Sequence, residues 1–197
     1  MKKKLESTFL NMTAVLVGVA LVTGGILAFV NRKTAGSIAL QKEKTLSEGI
    51  RKVMGGKLLN VVSSDTLKLH LEDKETIFVR HNVEDPKGNT LGAAVESSAN
   101  GYGGMLKILV GFGPDGTICG YTVLDSNETP GLGAKADNWF QADGKGSIIG
   151  KKIQDKGLCV RKDGGEVDAI TASTITSRAF LKAVNQAFES FKQGEKD

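Results

Sequence analysis

Five hydroxyl side chains fall within seven residues near the C-terminus: Thr171, Ser173, Thr174, Thr176 and Ser177. Directly after them Phe180, Leu181, Val184, Ala187, Phe188 and Phe191 recur at three- and four-residue spacing, which predicts a helix. The hydroxyls therefore sit where a helix begins. The first amides there lack partners within the helix, and the positive end of its dipole is exposed. Such a place accepts a phosphate. Ser and Thr are also ordinary N-caps, although a cap needs only one hydroxyl. Phosphate binding and plain capping both stand on the residues alone.

A second stretch is Asn127-Glu128-Thr129-Pro130-Gly131-Leu132-Gly133. The Pro-Gly pair predicts a type II turn. Gly131 and Gly133 let the backbone approach a flat ligand closely. A third is Gly101-Tyr102-Gly103-Gly104, which has neither the Rossmann nor the P-loop spacing. Other chemistries find less support. A hydrolase using Ser173 or Thr174 needs a general base. Neither His70 nor His81 is near in sequence, and no Gly-x-Ser-x-Gly elbow exists. Two Cys and two His are too few for a disulfide framework or a structural zinc site. Cys119 and Cys159 stand in apolar runs and read as small buried side chains, with a disulfide between them left open. His70 and His81 read as surface or packing residues, and the aromatic pair Trp139–Phe140 as core.

These stretches carry a family resemblance. Asp168–Ala179 resembles the flavinylation motif of the FMN-binding domain in the G subunit of the Rnf electron-transport complex, and in the related C subunit of the sodium-pumping NADH:quinone reductase. The family core is Ser/Thr-Gly-Ala-Thr-x-Ser/Thr. Thr171-Ala172-Ser173-Thr174-Ile175-Thr176 matches at the first, fourth and sixth positions. Ala172 stands where Gly is usual, and Ser173 where Ala is usual. Glu128-Thr129-Pro130-Gly131-Leu132-Gly133 is similar to a second family signature without a mismatch. The Gly-Tyr-Gly-Gly quartet and the apolar hairpin after it fall in the family's order, so the resemblance covers roughly Gly101 to Phe191.

The resemblance implies FMN joined through its phosphate to Thr174. It implies phosphate-end contacts from Thr171, Ser173, Ile175, Thr176, Ser177 and Arg178, with Arg178 neutralising the charge. At the ring end it implies Glu128, Thr129, Pro130, Gly131, Leu132 and Gly133, with Leu132 on the ring face, Thr129 at its polar edge and Glu128 in a structural role. An external flavin transferase, using FAD and a metal ion, is the implied maturation partner. The expected function is electron relay within an ion-translocating ferredoxin:NAD oxidoreductase, with other membrane subunits as donor and acceptor. The chain has no iron–sulfur cysteine spacing and no nicotinamide fingerprint of its own. Nucleic acid is not an expected partner. The alternatives are the C-type quinone-reductase subunit, a free-standing membrane flavoprotein feeding extracellular reductases, an anchored Ser/Thr hydrolase, and a non-catalytic scaffold.

The elements that must position these residues come next. The chain has 197 residues and a formal net charge of +4, which suits one domain with attachments. After Met1-Lys2-Lys3-Lys4 comes an apolar run, Phe9–Val30, with no charge inside it. About twenty such residues span a bilayer as a helix. A cleaved signal peptide has a shorter apolar core and a small-residue cleavage site. The positive-inside rule puts the N-terminus in the cytoplasm. The folded domain is then expected on the periplasmic side of the bacterial cytoplasmic (inner) membrane, with lipid around one span. The expected divisions are a cytoplasmic N-terminus (1–8), a span (9–30), a stalk and first helix (31–56), an FMN-binding domain (57–191) and a charged tail (192–197). The stalk carries a helix over Ser37–Met54 that Gly55-Gly56 stops.

Strands are expected at Leu58–Val62, Thr66–Leu71, Thr76–Arg80 and Thr90–Glu96, with turns at Ser63-Ser64-Asp65, Glu72-Asp73-Lys74 and Asp85–Asn89. A hairpin is expected around Pro114-Asp115-Gly116. A short helix over Ala136–Ala142 follows. Final strands are expected at Ser147–Ile153, Leu158–Arg161 and Val167–Ile170. The predicted fold class is α+β, with short, largely antiparallel strands and flanking helices.

Overall fold

A computed structural model describes residues 8–56, 58–71, 74–154 and 156–194. Lys2, Lys3 and Lys4, the Glu72-Asp73 part of one expected turn, and the last three residues of the tail lie outside the described residues. The chain divides into two units, Met1–Lys44 and Thr45–Asp197.

Helix α1 spans Phe9–Val53. In the first unit its apolar side chains, among them Leu10, Leu16, Leu21, Leu27 and Phe29, are exposed. The run is long and apolar enough to cross a membrane. A helix satisfies its own backbone there. The hydroxyls of Thr13 and Thr23 donate to the carbonyls of Phe9 and Val19, 2.9 and 2.8 Å away, so these polar groups need no water. No Pro falls between Val30 and Val53, and the expected stalk helix is the continuation of α1.

In the second unit α1 ends as the sequence requires. Gly55 N donates to Lys52 O and Gly56 N to Arg51 O, with φ of 84° and 70° at the two glycines. This is a Schellman stop.

Five antiparallel strands form one meander in the order β1-β2-β3-β4-β5. They are β1 (Asn60–Leu71), β2 (Lys74–Glu84), β3 (Thr90–Asn100), β4 (Met105–Phe112) and β5 (Ile118–Ser126). The β4–β5 connection is the expected hairpin, closed by Gly113 N to Thr117 O at 2.9 Å. The short helix α2 covers Ala136–Trp139. Helix α3 (Thr174–Gln193) covers one face of the sheet. Phe180 packs on Tyr121 and Phe140, and Phe188 and Phe191 on Phe112, with ring centroids 4.3–5.6 Å apart. A smaller cluster, Ile50, Val53 and Met54 with Val83, Ala94 and Leu109, seats the end of α1. Burial of these apolar faces holds the unit together. The α+β reading holds.

Three local expectations are corrected. Ser63-Ser64-Asp65 is not a turn. β1 runs through it with a bulge between Val61 and Ser63, and the polar residues pair across the ladder. Asn82 Nδ2 donates to Ser63 Oγ at 2.7 Å, and His81 Nδ1 lies 2.8 Å from Ser64 Oγ. The three final strands are not strands, for only the isolated bridges Thr117–Lys152 and Val160–Val167 form there. Ile148, Val160, Val167 and Ile170 are buried one at a time, so the chain drapes over the core in turns. Cys119 is exposed and Cys159 half-buried, and neither is in a disulfide.

Candidate functional site

Helix α3 starts at Thr174. Its first regular bond is Ser177 N to Ser173 O, 3.0 Å, so the amides of Thr174, Ile175 and Thr176 precede the ladder. Ser173 occupies the N-cap position, yet its hydroxyl makes no capping bond. Ser177 steadies the turn from within. Its Oγ donates to Ser173 O and accepts from Ile170 N, both at 2.9 Å. Ala172 has φ of 62°, the only positive value outside glycine among the described residues. The chain reverses there, where the motif normally has Gly.

Among the described residues Thr174 Oγ1 has no hydrogen-bond partner, and its side chain is half-buried. Ser173 beside it is only 8 % exposed. The more accessible of these two neighbouring hydroxyls is Thr174.

The second motif folds as its Pro-Gly pair demands. Leu132 N donates to Thr129 O at 3.1 Å, and Gly131 has φ of 78°, the values of a type II turn. Gly133 then passes against α3. A Cβ on it would overlap Glu128 Oε2 and come within 2.8 Å of Thr176 Oγ1.

Glu128 joins three segments. Its Oε1 accepts from the amides of Tyr102 (2.7 Å) and Gly103 (3.2 Å), and its Oε2 accepts from Thr176 Oγ1 at 2.8 Å. It is 7 % exposed. A buried carboxylate is tolerated when several donors meet it, and here three do.

Around this junction lies a cavity of about 460 Å³, lined by Tyr102, Glu128, Thr129, Leu132, Gly133 and the segment Ala172–Thr176. The sequence motifs 128–133 and 171–176 are thus brought to one place. Tyr102, Leu132 and Ile175 present 74, 42 and 52 % of their surface around an opening that is otherwise polar. Tyr102 is a residue that sequence reasoning passed over. Its signal was an aromatic ring between glycines, a position with no packing role.

Other expected residues are engaged within the fold or lie outside the cavity lining. Ser177 is fully buried and committed to the helix start. Thr176 is buried and committed to Glu128. Pro130 and Gly131 are exposed at the tip of the turn, and Thr171 is exposed just before Ala172. Arg178 forks onto Asp163 with two bonds of 2.7 Å and holds that carboxyl below its usual range. Both line a separate cavity with Leu158, Cys159 and Leu181. Arg178 is not among the residues that line the cavity with Thr174. Trp139 and Phe140 are core: Trp139 Nε1 donates to Asp168 O at 2.8 Å, and Phe140 stacks on Phe180.

The FMN-binding domain family matches residues 101–189. The chain is similar to the G subunit of the ion-translocating oxidoreductase complex of Vibrio vulnificus, 36 % identical over 86 % of this chain and 83 % of the relative. It is 32 % identical to the corresponding protein of Shewanella baltica, over 89 % of this chain and 86 % of the relative. The crystal structure of Shewanella oneidensis NqrC superposes with a TM-score of 0.50 at 25 % identity, covering 73 % of this chain and 74 % of that one.

Proposed function

The chain belongs to the family of G subunits of ion-translocating oxidoreductase complexes, and from that premise we propose that it is the subunit that carries FMN on Thr174 and relays electrons between other membrane subunits. The reading rests on one observation above the rest: Thr129, Leu132 and Gly133 of the Pro-Gly turn and the start of α3 line a single cavity.

The residues present fit the cofactor. Among the described residues nothing engages the Thr174 hydroxyl, and three helix amides beside it suit an anionic phosphodiester. Apolar faces of Tyr102, Leu132 and Ile175 suit a flat aromatic system. When bound, FMN supplies the one-electron chemistry. The protein holds and orients it. The residues that line the cavity include no Lys, Arg or His, so the α3 amides carry the compensation of the phosphate charge. A threonine hydroxyl is a weak nucleophile without an adjacent base. The chain is therefore the substrate of a flavin transferase. A covalent tether keeps the cofactor at high effective concentration and prevents its loss.

The proposed organisation keeps residues 9–30 as a single membrane span in contact with lipid. The N-terminus lies in the cytoplasm and the FMN-binding domain on the periplasmic side. The reading is tested by intact mass after co-expression with a flavin transferase. Wild type is expected to gain one FMN less water, and Thr174→Ala to gain nothing. An unmodified wild-type chain beside a competent transferase would overturn the assignment.

A further inference from the structure

The cavity holds one charged side chain, and it is negative. Glu128 lines the space, with its two oxygens fixed by Tyr102 N, Gly103 N and Thr176 Oγ1. Its charge is therefore neither mobile nor solvent-screened, at 7 % exposure. No lining residue is cationic, and Arg178 is drawn away by Asp163. Interactions between fixed charges are strong where water is excluded.

Reduction of a flavin by a partner subunit adds electron density to the ring. A fixed carboxylate beside it opposes that addition. On the reading that FMN occupies this cavity, we infer that Glu128 has a second role beyond holding the loops: its charge lowers the reduction potential of the bound cofactor and biases this subunit toward giving electrons up. The pin and the charge are separable by chemistry. A glutamine at this position keeps an acceptor for the two amides. Its NH₂ group donates to a Thr176 hydroxyl that rotates to accept. Glu128→Gln thus removes the charge and keeps the junction.

The experiment is spectroelectrochemical titration of the flavin-loaded full chain, wild type against Glu128→Gln. The midpoint potential is expected to rise in the variant while its thermal unfolding midpoint stays close to wild type. An unchanged or lower potential in a loaded, folded variant would overturn the inference and leave the flavin site intact. A folded Glu128→Gln chain that takes up no flavin would overturn it too, since the charge would then serve attachment rather than potential. Should Glu128→Gln not fold, Thr176→Val gives a second reading. It strips one donor from the carboxylate and strengthens the field at the ring, so the potential is expected to fall. An unchanged or higher value would count against the inference. A wild-type chain that never acquires flavin refutes the underlying site instead, so the two failures are distinguishable.

Discussion

Thr176 Oγ1 donates a 2.8 Å hydrogen bond to Glu128 Oε2, tying together residues 48 positions apart. The bond fastens the first turn of α3 to the loop that faces it. With Tyr102 N and Gly103 N on the other oxygen, one carboxylate sets the walls of the cavity.

Removing that carboxylate should loosen the unit. Glu128→Ala takes the partner from two part-buried backbone donors and one buried hydroxyl, which costs about 1–3 kcal/mol. Urea unfolding of the detergent-solubilised chain is expected to show a lower midpoint. Glu128→Gln should lie near wild type in the same assay.

The two adjacent hydroxyls should behave differently. Both line the cavity, but Ser173 is 8 % exposed whereas Thr174 is half-buried. Ser173→Ala is expected to keep the flavin mass increment in co-expression. Thr174→Ala is expected to lose it, and Thr174→Ser to retain a part. Loss in Ser173→Ala with retention in Thr174→Ala would move the attachment atom by one residue.

Ala172 bears a left-handed backbone, φ 62°. A Cβ there costs about 1 kcal/mol, offset in part by the greater unfolded freedom of Gly. Ala172→Gly is expected to raise stability by about 0.5 kcal/mol. Calorimetry that shows a clear loss would mean that the methyl group packs more than it strains.

Acid should act through Glu96. Burial works against its charge, but hydrogen bonds from His81 and Lys107 outweigh that and hold its carboxyl below the usual range. Its Oε1 lies 3.1 Å from His81 Nε2, and its Oε2 lies 2.5 Å from Lys107 Nζ. A lowered folded pKa gives stability that is present above the unfolded value, about 4.3, and is lost as pH falls through the folded one. The fall in urea midpoint between pH 7 and about pH 3 is expected to be larger in wild type than in Glu96→Gln. Equal falls would remove Glu96 from the acid response.

Orientation in the membrane is open to labelling. Cys119 is an exposed cysteine on β5 that is in no disulfide. In cells with a permeabilised outer membrane, a membrane-impermeant maleimide is expected to reach it. Labelling only after lysis would place the folded unit in the cytoplasm.

What could be read from the sequence was local. The Pro-Gly turn, the Gly55-Gly56 stop, the β4–β5 hairpin and the start of α3 each depend on a few adjacent residues whose backbone preferences decide the outcome. The structural role of Glu128 came from the family resemblance, but its partners were not visible, because they stand at 102, 103 and 176. Arg178 was assigned to a phosphate because Asp163 gave no local sign of reaching it. Ser63 to Asp65 looked like a turn because the Asn82 and His81 side chains that satisfy them come from the neighbouring strand. The segments over 147–170 have strand-like composition, but their pairing with the start of β5 stops at two bonds to Ile118 and the bridge Thr117–Lys152, so no ladder extends.

The five strands follow one another in space as they do in sequence, and the helix that bears Thr174 comes last. A nascent chain can lay down the sheet while α3 is still being made. The pocket has no floor until that final helix docks. On the proposed reading, attachment of the flavin waits on the last element to fold, and a chain cut short of α3 lacks the hydroxyl that would be modified.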